Sequence, residues 1–459
     1  MENDRHMTKG VKILLGDPKK AILKLSAPMM LAMLLQAVYN ITDGIWVAGL
    51  GADQLAAVGL FFPFFIIIVA LGAGIGVGGS SAISRSLGAD NKKSAENTAE
   101  HTILFAFAVS LILSISVMPF TGDLFHSLSG NGEVGRMAAD YARILFAGAF
   151  ILVFSHIANA ILRGEGAAKK AMYGLALGSC LNIVLDPLFI YGLNMGVAGA
   201  AWATLISITI SAMLFSYWIF IQKKTYLCIT FRNFKLNLRI LREILSVGFP
   251  SSLAQISMSA AMIVLNVVVI EAGGTDGVAV FTSGWRIVML GTIPLMGMAT
   301  GVVSVTGAAY GARDKYRLKT AFFYAVKIGV FIELAVGILV AVFANQISYI
   351  FSYSQEASRI QNELIKFLRI TAVFYPTVPL GMLTSAMFRG IGKGMRSLIV
   401  TVLRTIILQV PIAYLLGILL RWGLPGVWMG IVIGNVSAVT VTFTWGKHTV
   451  EHVLDSKSS

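Results

Sequence analysis

Charge is scarce in this 459-residue chain. Asp, Glu, Lys and Arg make up 13% of it, about half of what a water-soluble domain carries. So few charges cannot cover a water-facing surface, and apolar residues reach 56% with a mean hydropathy of +0.79. Composition therefore excludes the two or three soluble domains that length alone suggests. Cysteine is nearly absent. Cys180 and Cys228 form neither a disulfide framework nor a metal-ligand spacing, and read as free thiols acting as small packing residues. The six histidines lack ligand spacing too, and His101 and His156 read as packing or polar contacts. No GxxxxGK[ST] motif or nucleotide-binding domain is present, which excludes ATP hydrolysis. No Ser-base pair or Asp-rich Mg²⁺ motif supports an intramembrane enzyme. Gly74-Ile75-Gly76-Val77-Gly78-Gly79 imitates a dinucleotide fingerprint, but lies inside an apolar run where small residues serve helix packing. The first twenty residues are polar and basic, without the apolar core of a secretory signal. His6-Met7 is compatible with a cloning junction.

What the chain has in abundance is long apolar runs. A helix needs roughly 20 apolar residues to cross about 30 Å of hydrocarbon. Twelve such runs are predicted near 21–50, 55–84, 98–121, 140–162, 171–192, 197–221, 243–270, 279–308, 320–345, 364–388, 397–420 and 426–446. The expected fold is an all-α integral membrane protein: twelve transmembrane helices in two pseudo-symmetric six-helix bundles around a central cavity. Sustained helical runs exclude a β-barrel, which would show short alternating segments. The net charge of +14 sits in short basic blocks between the runs, which argues against a nucleic-acid partner. With the N-terminus inside, 27 of the 36 Lys and Arg fall on the cytoplasmic side and 6 on the outer side. That asymmetry puts both termini in the cytoplasm of a multi-pass cell-membrane protein.

The chain repeats itself at an offset of about 222–227 residues. Pro28 answers to Pro250, Asp53 to Asp276, and Gly88-Ala89-Asp90 to Gly311-Ala312-Arg313. Arg163-Gly164-Glu165-Gly166 answers to Arg389-Gly390-Ile391-Gly392, Pro187 to Pro411, and Trp202 to Trp428. Six runs per half keep both halves in one orientation, a parallel repeat. The expected organisation is a cytoplasmic segment 1–20, an N-terminal lobe 21–221, a basic linker 222–242, a C-terminal lobe 243–446 and a tail 447–459. Two such lobes around a cavity suit alternating access.

The halves differ in one respect. Asp43 and Asp186 lie deep in runs 1 and 5, while the matching positions hold Leu265-Asn266 and Val410. A carboxylate in hydrocarbon is costly and marks a functional path. Pro187, next to Asp186, keeps a helix-break role open for that residue. Asn182 stands one turn before Asp186, Tyr39 one turn before Asp43, and Thr204 lies in run 6. Acids ringed by amide and hydroxyl oxygens can hold a proton or a Na⁺. Asp43, Asp186, Asn182 and Thr204 are thus the candidate coupling site, and the metal site if Na⁺ is the ion. The other intramembrane charges, Arg286, Lys327, Glu333 and Arg404, read as snorkelling side chains or structural ion pairs. Glu271 is expected at the outer interface. Met29, Met30, Met33, Met258 and Met262 suit either core filling or a cavity wall for varied apolar cargo.

Together these residues resemble the multidrug and toxic compound extrusion (MATE) family over about residues 15 to 450. Pro28, Gln36 and Asn40-Ile41-Thr42-Asp43 carry the resemblance, with Arg163-Gly164-Glu165-Gly166 and Asn182-Ile183-Val184-Leu185-Asp186-Pro187. It implies export of amphiphilic, often cationic compounds in exchange for H⁺ or Na⁺, by a monomer needing no other cofactor. The sequence looks like the DinF-like branch, whose cation site lies in the N-terminal lobe. Gln36, Tyr39, Asn159, Ser179 and Asn182 then fit the substrate-cavity wall, and Pro28 the hinge of span 1. Other branches carry acids in the C-terminal lobe, where this chain has Asn266 and Tyr375-Pro376-Thr377. A lipid-linked precursor flippase of the same superfamily is the rival reading. It would need cationic residues in the cavity, for which Arg286, Lys327 and Arg404 are the candidates.

Overall fold

The computed structural model describes residues 7–129, 132–222, 225–351 and 357–455, and contains no strand among them. His6 lies outside the described residues. Eleven helical stretches are long and apolar enough to cross a bilayer, and a bent pair makes the twelfth. The first lobe holds Pro18–Ala48, Ala52–Gly88, Lys92–Ser129, the pair Gly132–Ala147 and Ala149–Gly164 bent by 51°, Ala168–Gly192 and Gly196–Ile221. The second holds Leu238–Gly291, Ile293–Gly311, Lys315–Val342, Ser358–Gly390, Gly394–Leu419 and Gly423–His452. Leu238–Gly291 is kinked at Gly274 (φ 60°, ψ −152°), so residues 275–291 join Ile293–Gly311 as one crossing. Spans 1 to 12 below follow this order, with span 7 ending at the kink.

The repeat is written into the turns. Among the described residues, the ten with positive φ form five pairs at the repeat offset: Gly51 and Gly274, Asp90 and Arg313, Gly166 and Gly392, Asn194 and Arg421, Gly196 and Gly423. Asp90 and Arg313 share a φ of 55° although their side chains differ in charge. The backbone at this turn is therefore inherited and the side chain is free to vary. The caps repeat as well. Asn91 accepts from Ser94 N at 2.9 Å, and Asp314 from Arg317 N at 2.9 Å, each supplying a donor-rich helix start with an acceptor.

Small residues bring the lobes together. A Cβ at Gly74 or Gly78 would strike span 7 at Ser252 or Ile244, and one at Gly297 or Gly301 would strike span 1 at Met30 or Ser26. Gly88 lies against Ala308 and Gly311 against Arg85, backbone to backbone. Ser304 Oγ donates to Arg163 O at 3.0 Å, and Ser81 Oγ to Arg389 O at 2.5 Å, another pair at the repeat offset. Arg85 reaches Glu243 at 3.9 Å across the same seam. All these contacts lie toward the basic ends of the spans, so the lobes meet there.

Three features differ from the sequence expectations. Cys180 and Cys228 are free but exposed, so neither packs in the core. The N-terminal basic segment contains a short helix, Lys9–Leu14, with Val11 and Leu14 fully buried. Its two apolar anchors were too few to show against the flanking lysines. Several spans also begin earlier at their basic ends, as with Lys92–Ser129, because lysines there extend a helix without needing lipid.

Candidate cation site and central cavity

Three spans of the N-terminal lobe build one polar cluster. Helical spacing puts Tyr39 and Asp43 on one face of span 1, and Asn182 and Asp186 on one face of span 5. Span 6 supplies Thr204. Asn182 Nδ2 donates to Asp186 Oδ1 at 3.3 Å and to Thr204 Oγ1 at 3.3 Å. The carboxyls of Asp43 and Asp186 lie close enough to act on each other, and Tyr39 lies close to Thr204. Asp186 is 0% exposed, while Asp43 is half-buried. Asp43 Oδ1, Asp186 Oδ2 and Asn182 Oδ1 have no partner. Two facing carboxylates repel and unpartnered buried oxygens are costly, and added positive charge would relieve both. Among the described residues no group of three or more His, Cys, Asp or Glu could hold a metal ion. Two acids with neutral oxygens suit a monovalent cation.

Pro187 removes one helical N–H, and the chain widens into a π-turn over Leu188–Gly192. The second half widens around Pro411 in the same way, at Leu403–Gln409 and Leu415–Leu419. The widening is therefore common scaffold, and the acid beside it belongs to the first half alone.

The remaining candidates separate. Ser179 is buried on span 5, one turn before Asn182, and Gln36 is half-buried on span 1. Asn159 donates to Ala171 O at 2.9 Å, tying span 4 to span 5 away from the acids. Pro28 is half-buried within an unbroken helix. It borders a cavity of about 1060 Å³ shared with Thr8, Ile13, Glu165 and Lys169. Tyr141 of span 4 is an addition, buried within electrostatic reach of Asp43, Tyr39 and Asp186. Nothing next to it in the sequence marks it, because its partners lie on other spans.

A second cavity of about 270 Å³ lies between the lobes, with Met33, Met258 and Met296 in its wall. None of Gln36, Tyr39, Asn159, Ser179 and Asn182 lines it. Arg163, Arg389 and Arg404 do, and no ion pair neutralises them among the described residues. Arg286 and Lys327 are exposed elsewhere, so of the three expected cavity cations only Arg404 lines this cavity. Arg163 and Arg389, the repeated arginines after spans 4 and 10, join it. Glu271 is exposed as expected. Glu333 neither snorkels nor pairs: it is 0% exposed and both carboxyl oxygens lack partners.

The linker between lobes is held by side chains of the first lobe. Glu165 Oε2 accepts from Tyr226 N at 3.0 Å and Leu227 N at 3.3 Å. Glu96 accepts from Cys228 N at 2.9 Å, Glu100 from Thr230 N at 3.2 Å, and His101 Nε2 from Asn237 N at 2.8 Å. Burial pushes the Glu165 carboxyl up to about 7 from its ordinary 4.5, against the pull of those N–H groups.

Comparison with known proteins agrees with this architecture. The MatE family profile matches residues 28–188 and 250–415, one segment in each lobe. The multidrug export protein MepA of Staphylococcus aureus (strain MSSA476) is 27% identical over 420 residues, covering 91% of this chain and 90% of its own. An outward-facing multidrug resistance MATE transporter is 52% identical with a TM-score of 0.95, over 98% of this chain and all of its own. A transporter from Pyrococcus furiosus Vc1, described as having a binding pocket of reverse polarity that suggests a different function, is 52% identical with a TM-score of 0.94. That match covers 98% of this chain and 99% of its own. With its twelve spans, its two repeated lobes and a matching segment in each, the chain belongs to the MATE family of transporters.

Proposed function

We propose that this protein is a secondary antiporter of the cell membrane, with both termini cytoplasmic. It exports amphiphilic, often cationic compounds in exchange for H⁺ or Na⁺ bound at Asp43 and Asp186. The observation that carries this reading is the pair of facing acids, bridged to Thr204 by Asn182, with one unpartnered oxygen on each of the three residues Asp43, Asp186 and Asn182. A proton or a Na⁺ removes the repulsion between the carboxyls, so the occupied and empty sites favour different arrangements of spans 1, 5 and 6. Pro28 gives span 1 a place to bend, because no proline N–H closes on Lys24 O. The export of varied drugs by relatives fits the methionine wall of the central cavity.

The test is efflux of ethidium or norfloxacin from cells lacking their own pumps. Asp43→Asn and Asp186→Asn are each expected to abolish export above background. Export at the wild-type rate by both would overturn the reading. Transport into proteoliposomes under an imposed pH gradient or Na⁺ gradient, run separately, distinguishes the two ions.

A second reading is favoured by one observation. Arg163, Arg389 and Arg404 around the central cavity suit an anionic amphiphile such as a lipid diphosphate. Tight binding of a lipid diphosphate, weakened by Arg404→Gln and Arg389→Gln, together with no drug efflux, would favour it.

A further inference from the structure

The second lobe carries a buried acid that neither the cation site nor the cavity uses. Glu333 sits in span 9 at 0% exposure, with both oxygens unpartnered. It does not cap a helix, pair with a base or bridge two spans, so its carboxyl has no structural task that Gln or Leu could not perform. Tyr375 faces it electrostatically from the broken part of span 10, and the Tyr375 hydroxyl is buried without a partner. That break is encoded by proline. Pro376 lies inside the 3₁₀ turn Tyr375–Thr377, and Pro379 opens the helix that follows. Gly291 makes room for the Tyr375 ring, and Gly337 stands beside the Tyr375 Cβ. A Cβ at Gly291 would stand 2.5 Å from Tyr375 Cε1, and one at Gly337 3.4 Å from Tyr375 Cβ. Gly337 is one turn beyond Glu333 on the same face of span 9. Beside the break, Asn435 of span 12 donates to Thr377 Oγ1 at 2.7 Å, and its own Oδ1 has no partner.

The other charged groups nearby are committed elsewhere. Glu363 binds Lys366 and Trp428 Nε1, Arg404 lines the central cavity, and Lys327 and Arg369 are exposed. The cluster has no counterpart in the first lobe. Shifting Glu333 by 223 gives Ser110, and shifting Tyr375 by 226 gives Ala149.

From this placement we infer that Glu333, with Tyr375, is a second proton-binding site, located in the C-terminal lobe. Ionised, the carboxyl would be a bare charge inside the lobe; protonated, it is neutral in the same surroundings, within the electrostatic reach of the Tyr375 phenol. One acid among neutral oxygens suits a proton better than a metal ion. The proton comes from water and returns to it as a carboxylic acid–carboxylate exchange, when span 9 shifts against the break in span 10. The inference stands whether or not Asp43 and Asp186 couple transport, so each lobe has its own acid at non-equivalent positions.

The test is infrared difference spectroscopy between acid and alkaline pH on the full-length protein in lipid nanodiscs, carrying Asp43→Asn, Asp186→Asn and Glu165→Gln, the last because Glu165 titrates in the same interval. A protonated-carboxyl C=O band is expected to remain, and to disappear on adding Glu333→Gln. Proton uptake over the same pH interval should fall by about one per molecule. A band and uptake unchanged by Glu333→Gln would overturn the proposal, as would a band that responds to Na⁺ at constant pH. If Glu333→Gln does not fold, Tyr375→Phe in the same background decides: removing the phenol dipole that acts on the carboxyl must shift the band, and an unshifted band overturns the site.

Discussion

Glu165 accepts two linker N–H groups through Oε2 while Oε1 stays buried without a partner. Its carboxyl titrates near 7 in the folded protein and near 4.5 when free of it. A raised carboxyl favours the protonated folded state, so its contribution is full below 4.5 and is lost as pH rises through about 7. That interval corresponds to roughly 3 kcal/mol at most. Glu165→Gln keeps an acceptor for both N–H groups but cannot ionise. Thermal unfolding at several pH values should therefore show wild type losing stability relative to the variant between pH 4.5 and 8. Parallel profiles would contradict the burial argument. At the same scale, Asn182 shows what a sequence can reveal about a site. Its position one turn before Asp186 was legible from helical spacing alone. Its second bond, to Thr204, depends on the approach of span 6.

Glycine governs the contacts between spans. Gly88 and Gly311, equivalent in the two halves, each lie against backbone of the opposite lobe, at Ala308 and Arg85. A methyl group there meets a carbonyl oxygen that cannot swing away. Gly88→Ala is expected to destabilise the closed seam by about 1–3 kcal/mol, as overpacking does. Spin labels at the basic ends should report a wider separation, and the melting temperature should fall. Gly59→Ala is the control, since nothing lies within 4 Å of a Cβ there, and helix propensity should leave it neutral or slightly stabilised. The glycine cluster of span 2 was readable as a packing surface. The partner it packs against was not, because spans 2 and 7 are about 170 residues apart in the chain.

For the whole molecule, a seam confined to the basic ends means that export requires the lobes to part there. A Cβ at Gly307 would lie 3.4 Å from Ser84 Cβ, close to the spacing of disulfide-bonded cysteines. Ser84→Cys with Gly307→Cys, after replacing the exposed Cys180 and Cys228, should cross-link on oxidation. Oxidised protein is expected to stop exporting and reduced protein to resume. Export by fully cross-linked protein would show that the lobes need not separate at this end.

Some of this protein is determined by the sequence itself. Apolar runs of bilayer length, basic blocks between them and a repeat near 225 residues specify helical spans and two similar lobes, because these are local or periodic signals. The pairing of left-handed turns follows from the same repeat, down to Asp90 and Arg313 sharing one backbone shape. Asp43 and Asp186 were legible because an acid stands out in an apolar run. Other decisions belong to the tertiary structure. It joins Tyr141 to the acids, turns Asn159 into a tie between spans, and brings Arg163 and Arg389 beside Arg404. Glu333 is the sharpest case. In sequence it looked like one more charge able to snorkel or pair, and only the packing of the lobe buries its carboxyl away from any base. An acid in a span announces a cost, and which neighbours meet that cost is settled by helices far apart in the chain.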